Sequence, residues 1–236
     1  MKKLINSLLV AATLCMATSC SKKDNYAGPD ATFSGNLINS VTGKNLLTET
    51  GGFQIQLDEL SWSSTPVPYN IPAKPDGSFK DTRIFSGHYR VIPRNGAFWP
   101  VDTTEIDISG NTTKDFTVTP YMEIKNFTWK LSGTTLQMTF NLFAPKTEGL
   151  PRVIDVQPFI NNTQFVGSGA TIYDVYTGPN ILGINANYSD EMAKTTYTIT
   201  VPNLLSGRTF YARVGVRVDD SNKKFNYSEI VKVDVP

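Results

Sequence analysis

Phe127-Thr128-Trp129-Lys130-Leu131, then Ser132-Gly133-Thr134, then Leu136-Gln137-Met138-Thr139-Phe140-Asn141-Leu142 is the stretch that decides the fold class. Apolar and polar residues alternate with period two on both sides of a short break containing glycine. Successive strand side chains point to opposite faces, so this pattern predicts a β-hairpin with one buried face. On this reading Trp129 faces inward and supplies core area. The alternation returns at Phe210, Ala212, Val214, Val216 and Val218, with Tyr211, Arg213, Gly215 and Arg217 between them. Ile230, Val231, Val233 and Val235 suit a closing strand, and only Ser189 to Lys194 reads as briefly helical. The exported part of the chain is therefore expected to be all-β.

Working back towards the N-terminus, residues 31–120 carry a second set of strand and turn signals. Phe33 to Ile38 and Phe53 to Leu57 read as strands. Pro75-Asp76-Gly77-Ser78 is a turn, since Pro presets φ, Asp bonds the local backbone and Gly accepts positive φ. Strands follow from Gly87, at Ile106 to Ile108 and at Phe116 to Val118, the last two separated by Ser109-Gly110-Asn111. Pro120 ends this run. The expected architecture is two consecutive β-sandwiches, 31–120 and 121–236, joined with almost no linker.

The first 30 residues read differently. Met1-Lys2-Lys3 is a cationic start, and Leu4 to Met16 is mostly apolar and short for a membrane span, as in an export signal. Ala17-Thr18-Ser19 then precede Cys20. The order resembles a bacterial lipobox, with residues 1–19 as signal peptide and Cys20 as the acylated first residue. Cleavage by an ordinary signal peptidase after Ser19 is the rival reading. Acyl chains would anchor the protein, since each buried methylene contributes ~0.8 kcal/mol. Residues 20–30 then form a polar tether with Gly28 and Pro29. Cleavage leaves Cys20 as the sole cysteine, so the domains stand on packing alone, without a disulfide.

Composition excludes several functions. The chain has 22 Lys+Arg against 21 Asp+Glu, a formal charge of +1, with no basic block to displace counterions from nucleic acid. One His excludes His-cluster metal sites and Ser-His-Asp or Cys-His catalysis. No P-loop or dinucleotide fingerprint is present, so no cofactor and no metal are expected. The chain is read as a non-enzyme.

The segments GNLINSVTGK, PDGSFKDTRIFSGHYRV and IDISGNTTKDFTVTPYMEI resemble the N-terminal module of a bacterial lipoprotein family called domain of unknown function 3823. That module is similar to carboxypeptidase-regulatory or transthyretin-like β-sandwiches. The tail LLSGRTFYARVGVRVDDSNKKFNYSEIVKVDVP resembles the family's C-terminal module, which is fibronectin-III-like or immunoglobulin-like. Members typically lie beside SusC/SusD-type glycan importers. The resemblance thus implies an outer-membrane, surface-exposed lipoprotein with polysaccharide and a SusC/SusD-like importer as partners. It carries over no binding residue.

Aromatic faces in sandwich loops can stack on sugar C–H faces. Trp62 and Tyr69 in the Ser/Pro-rich LSWSSTPVPYN stretch, and Phe98 and Trp99 after Asn95-Gly96, are the candidate glycan platforms. The competing role for each is a plug under a loop or between domains. Asp102-Thr103-Thr104 resembles an O-glycosylation motif of such bacteria, which makes Thr103 a modification candidate. His88 reads as an isolated surface residue, and Gly167-Ser168-Gly169 as a flexible turn. Two alternatives stand beside glycan binding: an adaptor that docks on the importer, and a glycosidase built on two facing carboxylates.

Overall fold

The computed structural model describes residues 27–236. The expected signal peptide, Cys20 and most of the expected tether lie outside them. Asp30, counted as the end of that tether, is already fixed: its amide bonds Ile84 O, and its carboxylate accepts from the Ser86 amide at 2.7 Å.

Strands β1 to β8 build the first sandwich. One sheet holds β4 (Ser78–Ile84), β1 (Ala31–Asn39), β7 (Asn111–Thr113) and β8 (Phe116–Val118), with β4 antiparallel and β7 and β8 parallel to β1. The other runs β3 (Tyr69–Pro72), β2 (Gln54–Glu59), β5 (Gly87–Arg94), β6 (Thr104–Ile108), all antiparallel. Alternate residues of β1 are buried along its whole length, and Phe33, Leu37, Phe53, Ile55, Phe79 and Val91 meet in one core. The turn into β4 has Gly77 at φ +79°, the conformation that its Pro-Asp-Gly sequence anticipates.

Strands β9 to β16 build the second sandwich. A three-stranded sheet holds β13 (Thr196–Val201), β10 (Thr135–Phe143) and β9 (Glu123–Ser132). The facing sheet runs β12 (Leu182–Ala186), β11 (Val153–Asn161), β14 (Thr209–Val218), with β15 (Phe225–Tyr227) and β16 (Val231–Asp234) both paired to β14. The β9–β10 hairpin turns at Gly133, φ +57°. Leu136, Met138, Phe140 and Leu142 are buried and face Val214, Val216 and Phe210 across the core. A short helix, Asp190–Lys194, is capped by Ser189, whose hydroxyl accepts from the Met192 amide. A π-turn at Tyr173–Thr177 and a 3-10 turn at Gly178–Asn180 were not anticipated.

Two expectations are corrected. Trp129 pairs with Met138, whose side chain is buried, yet its own side chain is 41% exposed. It has the inward face but sits on β9, an edge strand with no further strand to cover it. Conversely β14 is buried on both faces. Its second face carries Arg213 and Gly215, beneath a cluster of Phe159, Phe225 and Tyr227 with ring centroids 5.0–5.8 Å apart. A Cβ on Gly215 would stand 2.8 Å from Phe159 and 2.9 Å from Tyr227, so only glycine allows these rings to close.

The two sandwiches meet through buried polar contacts. Asn226 donates to Ala97 O at 2.8 Å and accepts from the Met122 amide at 3.0 Å, while Asn39 donates to Glu123 at 2.6 Å. Glu49, from the first sandwich, accepts from the Ser168 hydroxyl at 2.6 Å and the Gly169 amide at 3.2 Å. Arg213, 1% exposed, donates to Thr48 O at 2.7 Å and lies 3.6 Å over the Tyr227 ring. Burial lowers its pKa to about 10, so it remains charged at neutral pH. The turn at Gly167-Ser168-Gly169 is therefore an inter-domain contact.

Candidate functional site

The residues that close the first sandwich at one edge do not bury all their apolar surface. β3 and β4 are edge strands of the two sheets, and the loops β2–β3 and β4–β5 leave beside them. The β2–β3 loop carries two prolines and a run of serines, Ser61, Ser63 and Ser64, and cannot continue either ladder. It projects Trp62, 82% exposed, and Val67, 89% exposed. Tyr69 opens β3 and is 48% exposed; Phe85 follows β4 and is 50% exposed. With Leu57, Ile84 and Tyr89 beneath them, these side chains line a cleft of about 500 Å³. Contiguous exposed apolar surface of this kind marks a place of interaction.

The frame of the cleft is held by its own polar groups. The Tyr69 hydroxyl donates to Asp81, and this bond, with partial burial, raises its pKa above the usual tyrosine value. Asp81 also accepts from the Arg83 amide at 2.8 Å. The Tyr89 hydroxyl donates to Phe85 O at 2.8 Å, which pins the β4–β5 turn; burial pushes the Tyr89 pKa up. On the other side Glu59 accepts from the Ser61 amide at 2.9 Å, and Ser61 accepts from the His88 amide at 2.8 Å. Such bonds hold the Tyr69 and Tyr89 rings and the loop backbone in place and spare a ligand the entropy of ordering them.

The four aromatic candidates separate into two pairs. Trp62 and Tyr69 come together in this cleft. Phe98 and Trp99 are corrected: they do not present loop platforms. Phe98 is 4% exposed, in edge contact with Phe53 inside the first core. Trp99 packs at 5.2 Å on Tyr121 and against the second core, under Lys146. The backbone explains why: Phe98 bridges Pro120 and the Trp99 amide bonds Thr119 O, so the segment is tied to the domain junction. Phe85 and Val67 are the members that sequence reasoning missed. Phe85 follows β4, a strand whose sequence SFKDTRI shows no alternation from which the face of the next residue could be read.

Thr103 is exposed just before β6. His88 is not isolated. Its Nδ1 lies 2.8 Å from Asp107 and its Nε2 3.3 Å from Glu105, and these two bonds raise its pKa. Among the described residues no group of His, Cys, Asp or Glu is arranged to hold a metal, and no helix is long and apolar enough to cross a membrane.

Fold and site together define a two-module all-β protein with an exposed aromatic cleft on its first module. The chain belongs to the DUF3823 family. Residues 31–119 match the model described as "Protein of unknown function (DUF3823) N-terminal domain", and residues 122–232 match "Domain of unknown function (DUF3823_C)". No curated protein matches it. A DUF3823 family protein from Bacteroides uniformis is similar at 23% identity and TM-score 0.77, over 88% of this chain and all of its own. A second B. uniformis structure, described as "a putative carbohydrate binding protein", is similar at 22% identity and TM-score 0.76, with the same coverage. A Parabacteroides merdae member is similar at 19% identity and TM-score 0.69, again over 88% of this chain and all of its own. At these identities the likeness establishes a common fold.

Proposed function

We propose that this protein is a non-catalytic, lipid-anchored cell-envelope component that binds polysaccharide for a SusC/SusD-type importer. The observation that carries the reading is the cleft itself, with Trp62, Tyr69 and Phe85 exposed on a hydrogen-bonded frame. Planar rings open to solvent suit the C–H faces of sugars. The description of one structural neighbour as carbohydrate binding is in keeping with it. Among the described residues Glu59 is the one carboxylate lining the cleft, whereas glycoside hydrolysis needs two facing each other. Acylated Cys20 would hold the protein at the outer membrane with both modules facing outward, and Thr103 is accessible for glycosylation.

A polysaccharide array tests the reading. The wild-type protein binds at least one polymer, and Trp62→Ala loses that signal; an array without any binding contradicts it. Docking on the importer without sugar is the second reading. Val67 favours it, because this aliphatic side chain is 89% exposed in the cleft yet offers no plane for stacking.

A further inference from the structure

The polar groups around the cleft also define the class of sugar, on the basis that the cleft is a sugar site. A pocket that recognises one sugar unit encloses most of its surface and aims several hydrogen-bonding groups at its hydroxyls. This cleft does neither. Trp62, Tyr69 and Phe85 stand out into solvent and cannot wrap a single ring. The Tyr69 and Tyr89 hydroxyls donate to Asp81 and to Phe85 O, and the Ser61 oxygen accepts from the His88 amide. The Arg83 guanidinium, Glu59 and the Trp62 indole N–H are the polar side-chain groups that line the rest of an otherwise apolar cleft, too few to compensate every hydroxyl of a monosaccharide for the water it would lose. Affinity has to accumulate from apolar area over successive units.

Charge points the same way. Glu59 and Arg83 are the two ionic side chains lining the cleft, one of each sign, and the Asp81 carboxylate stands beside them. An acidic sugar would meet no net positive charge there. A neutral chain, bound along its length by its C–H faces, meets the balance that the site presents.

We infer that the cleft recognises internal stretches of a neutral polysaccharide rather than chain ends, single sugars or uronate polymers. Isothermal titration with ladders of one, three and six units tests this, using cello-, xylo-, manno-, malto- and galacturono-oligosaccharides as probes. The result expected is a neutral ladder whose affinity rises about tenfold or more from three units to six, with the free monosaccharide silent. Trp62→Ala weakens the six-unit ligand about tenfold or more. A monosaccharide as tight as its hexamer overturns the internal-chain inference, and a stronger galacturonate ladder overturns neutrality; either leaves sugar binding standing. Silence of every ladder, together with silence on the polysaccharide array, removes the sugar-site reading itself.

Discussion

The three tryptophans occupy three environments that a single sequence could not separate. Trp62 stands in solvent above the cleft, Trp129 lies half open on an edge strand, and Trp99 is wedged at the domain junction with its indole N–H buried and unpaired. Trp62 was legible because its Ser/Pro-rich surroundings lack alternation. Trp99 misled because a loop is usually a surface feature, whereas here the loop is hydrogen-bonded to the junction. Phe98→Ala is expected to cost about 3–5 kcal/mol, seen as a lower urea midpoint, since it empties a filled core site. His88 is a second case, because its partners Glu105 and Asp107 come from the neighbouring strand and only pairing reveals them. Its pKa is raised in the folded state, so the stabilisation it supplies is complete below the ordinary His range and is lost as pH rises through the folded value. Nuclear magnetic resonance titration checks this: the His88 pKa lies above 6.5 and falls towards it in Asp107→Asn.

At the scale of elements, sequence patterning located β1, β2, β5, β6, β8, β9, β10, β14 and β16, because burial on one face is written directly in side-chain polarity, but it gave no strand for β3, β4, β7, β11, β12, β13 or β15. It says less about which strand is an edge and which has both faces covered. β9 and β14 carry the same pattern, yet one leaves Trp129 exposed and the other buries Arg213. That difference is set by sheet order and by the neighbouring domain, both non-local. Gly215 is the point where the second face of β14 is most tightly specified. Gly215→Ala pushes a methyl group into Phe159 and Tyr227 and is expected to destabilise by about 1–3 kcal/mol, measured by chemical denaturation. A variant of unchanged stability would mean that the aromatic cluster is looser than described.

Across the whole molecule, the two sandwiches are bonded through Asn39, Glu49, Ser168, Arg213 and Asn226, most of them buried. Removing one partner strands a buried polar group or charge, which costs more than the bond itself contributes. Heating is therefore expected to give one calorimetric transition for both domains, and Arg213→Ala to lower or split it. Anchoring belongs to this scale too: Cys20→Ser should move the protein from the membrane fraction to the soluble one, and an unlipidated Cys20 terminus by intact mass would remove the anchor. On the proposed reading, cleft and anchor would have separate roles, one holding polymer and the other holding the protein at the membrane. The most direct test of the account is titration of one array-selected polysaccharide into the wild type, Trp62→Ala and Trp129→Ala, with melting temperatures recorded for all three. The account predicts that Trp62→Ala binds about tenfold or more weakly at an unchanged melting temperature, while Trp129→Ala binds as the wild type does. Equal binding by all three, or a loss shared by Trp129→Ala, would contradict it.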